Sequence, residues 1–243
     1  MPGRGERLLA RLRRPLLARL QIIRSSSAQP DTAALAAELQ SAGAVRRSGL
    51  SEQGARMLVE GLGEVIQTTD VTVKSGSRAL VTSVRGLEPH TDHHRADIVA
   101  WHCIRQSSRG GESLLVDSRD VLASFTESEK RVLETIHLRE HRVFEGDPER
   151  HPLLRCERGR HRCYYSFWLV EEGLDAERRH LLERFHDRVR QVERRQFRLR
   201  PGELLLIDNG RMLHGRTPIG GDQQRLLRRF WIARRAAAAE PAA

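Results

Sequence analysis

The chain has 243 residues, of which 39% are hydrophobic and 30% are charged, and its formal net charge is +10 at pH 7. That length suits one domain with a sizeable core, and no stretch approaches the roughly 18 apolar residues that suggest a membrane span. The cysteines are odd in number and lack CxxC spacing, which argues against a disulfide scaffold and favours a reducing cytoplasm. They are Cys103, Cys156 and Cys163.

The positive charge invites a nucleic-acid interpretation, but the sequence disfavours it. The arginines are spread along the chain and mixed with acids, as in Glu177-Arg178-Arg179. Aromatic residues make up only 5% of the chain, which leaves few platforms on which bases could stack. We therefore predict a solvated charged surface, with docking of an acidic partner, such as a carrier protein or a leader peptide, kept as a weaker hypothesis.

The first elements in chain order are predicted to be helical. Residues 5–23 carry leucines at helical spacing among arginines, which resembles a transit peptide but favours an ordinary packing helix. Asp31 is a good N-cap for a helix over residues 32–42. A further helix is predicted over residues 51–67. We therefore expect an N-terminal helical segment of about residues 1–70.

From residue 71 onward, short β-branched runs predict many strands. The predicted strands cover residues 71–73, 79–84, 98–104, 113–117, 138–144, 153–157, 162–167, 202–208 and 226–232. Helices are predicted over 118–125, from the capping box of Thr126 and Glu129, and over 175–196. The pattern indicates an α+β fold with a double-sheet jelly-roll core flanked by helices. We expect one domain over residues 1–235 and a disordered tail over 236–243.

A group of possible metal ligands lies in two distant parts of the chain. His90 and Asp92 are two positions apart, so on a strand both side chains point the same way. With His214 they would form the 2-His-1-carboxylate set of non-haem iron oxygenases. A His-x-Asp pair alone is a weak signal, and His93 and His94 follow directly. A zinc site built from the His90–His94 cluster is therefore an open alternative.

Four motifs in a fixed order resemble the TauD/TfdA branch of Fe(II)/2-oxoglutarate-dependent dioxygenases. They are Pro-His-Thr-Asp at 89–92, Gly-Gly-Glu-Ser at 110–113, Asn-x-x-x-x-His-Gly-Arg at 209–216 and Arg-Leu-Leu-Arg-Arg-Phe at 225–230. The third motif is most similar to the clavaminate-synthase-like members. The resemblance covers roughly residues 80–232, and its order and spacing are far more specific than any one motif.

The resemblance implies a double-stranded β-helix (cupin-like jelly roll) and a set of catalytic residues. By resemblance, His90, Asp92 and His214 hold Fe(II), which reacts with O₂. Arg225 would grip the distal carboxylate of the cosubstrate 2-oxoglutarate, and Ser113 would hydrogen-bond the same carboxylate. A planar guanidinium suits bidentate capture of a carboxylate, so the residue types agree with these roles.

The resemblance also implies a small-molecule substrate. Arg229 would meet an acidic group of that substrate, while Asn209 and Arg216 would support the turn that carries His214. We expect hydroxylation of an unactivated C–H bond in an amino acid or amino-acid-derived natural-product intermediate, free or carrier-bound, with succinate and CO₂ as coproducts. Desaturation or cyclisation at the same iron is an alternative, as are, from other classes, a zinc hydrolase and a non-catalytic basic binding protein. Because Asp92 is present, halogenation is disfavoured.

Overall fold

The computed structural model of the protein describes residues 31–74, 76–140 and 142–234. The helices are α1 (Thr32–Ala42), α2 (Glu52–Leu62), α3 (Ser118–Leu122), α4 (Glu127–Glu134) and α5 (Ala176–Gln191), with 3-10 turns at Leu80–Thr82 and Phe167–Leu169. The strands are β1 (Ala44–Arg47), β2 (Glu64–Thr72), β3 (Leu87–His90), β4 (Ile98–Arg105), β5 (Arg109–Gly110), β6 (Ser113–Asp117), β7 (His137–Arg139), β8 (Arg150–Pro152), β9 (Leu154–Glu157), β10 (Arg160–Cys163), β11 (Arg195–Phe197), β12 (Leu204–Asp208), β13 (Met212–Arg216), β14 (Ile219–Gly220) and β15 (Leu226–Ala233).

Two antiparallel sheets form the core. The major sheet has the order β1-β12-β4-β15-β2 and the minor sheet has the order β11-β6-β13-β3. Leu115 and Met212 of the minor sheet share one buried cluster with Leu205 and Leu227 of the major sheet, so the two sheets face each other. This arrangement confirms the predicted jelly roll within an α+β fold.

Helices cover the outer faces of both sheets. Side chains of α1 and α2, such as Leu39 and Leu58, pack with Phe230 and Ile232 on the outer face of β15. On the other side, α3, α4 and α5 cover the minor sheet in a separate buried cluster. Along β15, Leu227 and Trp231 therefore face the interior between the sheets, while Phe230 and Ile232 face the helices. No helix in the described ranges has both the length and the apolar content of a membrane span.

The predicted helix over residues 51–67 was wrong in its second half. It ends at Leu62, and Glu64–Thr72 forms β2 at the edge of the major sheet. The apolar residues Val65 and Ile66 fit either period, and pairing with β15 decides between them. A Cβ atom at Gly63 would collide with the carbonyl oxygen of Ala233, so glycine permits this close approach.

The N-terminal helical segment expected over about residues 1–70 contains α1 and α2, but its described part also contributes strands, because β1 and β2 both belong to the major sheet. The helix expected over residues 5–23 and the tail expected over 236–243 lie outside the described residues.

Several other predicted strands and helices are shorter in the structure than in the sequence prediction. The strand expected over 79–84 is the 3-10 turn Leu80–Thr82, the strand over 138–144 is only β7, and the strand over 162–167 ends at Cys163. The helix over 118–125 ends at Leu122. The helix over 175–196 ends at Gln191, since Arg195–Phe197 leaves it to pair with β6 as β11. The caps were confirmed: the Asp31 carboxylate accepts N–H groups of α1, and Thr126 and Glu129 form the capping box of α4.

Candidate metal centre and active site

The structure brings the three expected metal ligands together between the sheets. His90 ends β3 and lies opposite His214 in the neighbouring strand β13, while Asp92 follows two residues after β3 ends. Oδ1 of Asp92 is 3.8 Å from Nε2 of each histidine. All three side chains are buried, and their ligand atoms lie within 4.8 Å of one another. We call this group the His90 triad, and its spacing suits one divalent ion.

The state of the donor atoms also fits a metal. Both ring nitrogens of His214 are buried without a hydrogen-bond partner among the described residues, which is unusual for buried polar atoms. Burial lowers the pKa of His214 to about 3, so the ring is neutral with a lone pair to offer. Nδ1 of His90 lies 3.0 Å from the carbonyl oxygen of Glu88, which leaves Nε2 to face the metal position.

Asp92 is held in its ionised form by its surroundings. Burial by itself would raise the pKa of Asp92, but the positive charge of Arg229, the two imidazoles and a hydrogen bond from Trp231 bring it to about 2. Arg229 donates from Nη1 to both carboxylate oxygens at 3.2 Å, and the Trp231 indole N–H donates to Oδ2 at 2.7 Å. The carboxylate therefore carries the charge that a divalent metal requires.

Asn209 fixes the backbone that carries Asp92. Its Oδ1 accepts the Asp92 N–H at 2.8 Å, and its Nδ2 donates to the carbonyl oxygens of Asp92, His93 and Ala96. We predicted that Asn209 would support the turn before His214. In the structure its side chain instead anchors the loop that follows β3, so the same amide connects the two distant parts of the ligand set.

Arg225 lies in the same cavity as the His90 triad, as expected for a cosubstrate site. It is only 6% exposed, yet it makes no ion pair or hydrogen bond with any described residue, and its Nε is buried without a partner. Burial, with the nearby charge of Arg216, lowers its pKa to about 10. Leaving a buried cation without a partner is costly. The arrangement therefore fits an anion that enters from outside.

Ser113 lines this cavity too, at the start of β6, and it is buried. The Gly-Gly motif before it has a packing role. Gly111 has φ +72, and a Cβ atom there would lie 3.2 Å from Cδ of Arg225. Glycine thus supplies both the left-handed turn and the space for the arginine stem.

Arg216 has a different role from the one predicted. Its buried guanidinium donates to the carbonyl oxygens of Leu80 at 2.9 Å, Val81 at 3.3 Å and Ser83 at 2.6 Å, and also to that of Arg85. It therefore anchors residues 80–85 over the cavity, which Val81 lines. These side-chain bonds take the place of the strand pairing that we expected there.

Sequence reasoning missed the tryptophans. The chain has three, and each lies beside one member of the His90 triad. The ring centroid of Trp168 is 5.0 Å from that of His90, the Trp101 ring is 6.0 Å from that of His214, and Trp231 bonds Asp92. A signal existed for one of them, since Trp231 shares a strand face with Arg225 and Arg229.

The next two histidines form a separate group. His93 Nε2 is 3.0 Å from Asp147 Oδ2 and 3.5 Å from Glu140 Oε1, and His94 Nδ1 is 2.5 Å from Glu140 Oε2. We call these four residues the His93 network. The Arg95 N–H donates to Nδ1 of His93, so Nε2 must carry the proton and donate to the acids. The structure thus divides the His90–His94 cluster in two, and a zinc site drawing on the whole cluster does not form.

Comparisons with known proteins agree with this geometry. The family model described as taurine catabolism dioxygenase TauD, TfdA family, matches residues 20–231. A search of curated protein sequences found no match.

Solved structures share the fold. An asparagine oxygenase in complex with Fe(II), 2S,3S-3-hydroxyasparagine and succinate superposes with a TM-score of 0.71 at 18% identity, covering 84% of this chain and 78% of that one. The non-haem iron oxygenase OrfP with Fe and α-ketoglutaric acid gives 0.68 at 18% identity, covering 84% and 80%. PvcB of Pseudomonas aeruginosa gives 0.63 at 17% identity, covering 83% and 79%.

The family match spans most of the chain, including every ligand position described above. It confirms the resemblance carried by the four sequence motifs and excludes a purely non-catalytic binding protein. The chain therefore belongs to the TauD/TfdA family of Fe(II)/2-oxoglutarate-dependent dioxygenases.

Proposed function

We propose that this dioxygenase hydroxylates an unactivated C–H bond of an amino acid or an amino-acid-derived small molecule, either free or attached to a carrier protein. The observation that carries the proposal is one buried cavity that holds the His90 triad together with the guanidinium of Arg225, which has no ion pair among the described residues. A metal at the triad and a dicarboxylate against Arg225 would satisfy both sets of buried polar groups at once.

The substrate class is supported by the structural neighbours. The asparagine oxygenase was solved with hydroxyasparagine, and OrfP was solved with Fe, succinate and (3S)-hydroxy-L-Arg. Each of these complexes contains a hydroxylated amino acid together with iron and succinate. We therefore propose a free amino acid as the first substrate to test. A panel that contains both free and carrier-bound amino acids distinguishes the two forms.

Two sets of residues would bind the metal and the cosubstrate. His90, Asp92 and His214 would hold Fe(II), and Arg225 with Ser113 would bind the distal carboxylate of 2-oxoglutarate. When bound, the iron and 2-oxoglutarate supply, with O₂, the oxidant for the C–H bond, and succinate and CO₂ are released. The chain itself holds the reacting groups in one orientation and excludes water from them.

We propose that Arg229 binds the substrate in addition to Asp92. Its guanidinium lies 4.4 Å from the Trp231 ring and 5.6 Å from the Trp101 ring, and its Nε has no partner among the described residues. A substrate carboxylate could therefore bind this guanidinium without displacing it from the aromatic rings. This would orient an amino acid over the metal.

We place the reaction in the cytoplasm. Cys103, Cys156 and Cys163 are free thiols in the structure, as is usual in a reducing compartment.

Binding and turnover test the proposal in turn. Fe(II) and 2-oxoglutarate added without oxygen should produce a weak visible absorption band that neither gives alone. Succinate release is then measured over a panel of free amino acids and of the same amino acids on a carrier. A product one oxygen atom heavier establishes hydroxylation, whereas a product two hydrogen atoms lighter indicates desaturation or cyclisation. If no amino acid raises succinate release above the buffer control, the proposed substrate class is wrong.

A further inference from the structure

Trp231 makes a hydrogen bond that distinguishes the two carboxylate oxygens of Asp92. The indole, on the inner face of β15 and only 6% exposed, donates its N–H to Oδ2 at 2.7 Å. The other oxygen, Oδ1, is the one that lies 3.8 Å from both His90 and His214. We infer that Trp231 is a positioning residue, which occupies Oδ2 so that Asp92 offers Oδ1 to the iron.

The physical reason is that a carboxylate has two equivalent oxygens and rotates easily about its last side-chain bond. A short hydrogen bond to an ionised acceptor is among the stronger ones in proteins, and such bonds orient metal ligands. Arg229 cannot make this choice, because it lies at the same 3.2 Å from both oxygens. We also propose that Arg229 binds the substrate. The hydrogen bond from the indole to Asp92 is therefore the one that persists when substrate binds.

The indole is itself held between two other groups. The Arg229 guanidinium lies over its ring at 4.4 Å, and the His93 ring stacks on it with a centroid distance of 5.5 Å and an interplanar angle of 27°. The His93 ring cannot swing away easily. Its Nδ1 accepts the Arg95 N–H, and its Nε2 faces the two acids of the His93 network.

The His93 network thereby acquires a function that its residue types do not suggest. The side chains of Glu140 and Asp147 are 0% and 1% exposed, and they lie outside the His90 triad. The contacts run from these acids to His93, from His93 to the Trp231 ring, and from the indole N–H to Asp92. The network keeps the indole in position against the metal ligand, so a cluster outside the His90 triad stabilises the geometry of that triad.

Trp231→Phe tests the first step, because it keeps an aromatic ring and removes the N–H donor. We expect the Kd for Fe(II), measured without oxygen from the intensity of the Fe(II)–2-oxoglutarate band, to rise about tenfold. We also expect more succinate to be formed per molecule of hydroxylated product. A Kd within twofold of the wild-type value would overturn the inference.

Phe144→Leu is the matched control, since it trims a ring 6.3 Å from the indole and leaves the N–H bond to Asp92 in place. Its Kd for Fe(II) should stay within twofold of wild type. Urea unfolding of both metal-free variants shows whether each folds. If Phe144→Leu weakens iron binding as much as Trp231→Phe does, packing around the indole explains the effect and the proposed role of the N–H is wrong.

A double-mutant cycle tests the second step. His93→Leu should weaken Fe(II) binding severalfold in the wild-type background, and it should add little in the Trp231→Phe background, because its effect would pass through the indole. An effect of equal size in both backgrounds would overturn the role of the His93 network.

The inference rests on the proposed function only through the iron site, and the two can fail separately. If the wild-type protein gives no Fe(II)–2-oxoglutarate band, the proposed function fails. If the wild-type band forms and Trp231→Phe binds iron equally well, the iron site stands and the positioning role alone is lost.

Discussion

The His90 triad and the His93 network use the same residue types, lie next to each other in the chain and do different work. In the triad, His214 has two buried ring nitrogens without a partner among the described residues. In the network, both ring nitrogens of His93 are engaged, one by the Arg95 N–H and the other by acids. Hydrogen-bond partners therefore distinguish His214, whose ring nitrogens are available to a ligand, from His93, whose ring nitrogens are both engaged.

The largest expected effect separates the two regions directly. Asp92→Ala should remove Fe(II) binding and reduce succinate formation to background, because the His90 triad loses its only charged member. Asp147→Asn leaves the triad intact, so it should keep measurable turnover with at most a severalfold loss of Fe(II) binding. It should lower the free energy of unfolding by about 1 kcal/mol, since it weakens a hydrogen bond from neutral His93 and a partly exposed ion pair with Arg95. Iron content, succinate assays and urea unfolding check both variants. Full turnover by Asp92→Ala would refute the ligand assignment.

The same contrast applies to two arginines that are close along the chain. Arg225 is buried and has no ion pair among the described residues, whereas Arg228 is paired with Asp70 and Glu52 near the surface. Arg225→Ala should raise the KM for 2-oxoglutarate by the equivalent of about 3–5 kcal/mol, because a buried carboxylate loses its charge partner. Arg228→Ala should change it by less than about 1 kcal/mol. An unchanged KM for 2-oxoglutarate in Arg225→Ala would show that the cosubstrate does not bind Arg225.

Low pH should destabilise the fold both at the His90 triad and beside the His93 network, and bound iron should protect only the triad. Burial lowers the pKa of His214 to about 3 and that of His151, which stacks on His94, to about 4. The unfolded chain binds these protons near pH 6.5, so folding free energy is lost as the pH falls from about 6.5 toward 4, by up to about 1.4 kcal/mol per unit and group.

Bound Fe(II) should hold His214 unprotonated and keep its contribution, while His151 still loses its own. Urea unfolding at several pH values, with and without Fe(II), measures the difference. With iron bound, His151→Gln should reduce the remaining slope of the free energy of unfolding against pH. If that slope is unchanged in the variant, the His151 assignment is wrong.

A smaller effect is expected at Arg216, which has partners and yet lies in the active-site cavity. Arg216→Lys keeps the charge but cannot donate to as many of the four carbonyl oxygens in residues 80–85. Hydrogen exchange should become faster in that segment, and the KM for 2-oxoglutarate should rise a few fold, with little change in the Kd for Fe(II). Unchanged exchange would show that other contacts anchor the segment.

Much of the site was predictable because its signals are local. The two-residue spacing of His90 and Asp92 holds on any extended segment, and alternation on β15 places Arg229 on the face that also carries Trp231. The caps at Asp31 and Thr126 were predictable for the same reason, since each bonds N–H groups within three residues.

Other features depended on partners that are distant in the chain. Val65 and Ile66 fit a helix or a strand, and only the neighbouring strand β15 decides. The role of Arg216 required the carbonyl oxygens of residues 80–85, which no pattern around position 216 reveals.

By itself the sequence determined the ligand types, their order and the jelly-roll fold class, because motif spacing and hydrophobic alternation are properties of the chain read locally. Only the tertiary structure decided which histidines face a metal position and which face acids. It also decided that an indole on the last strand bonds one oxygen of Asp92. The physical reason is that a buried polar atom takes its role from the partners around it, and folding brings those partners together from distant parts of the chain.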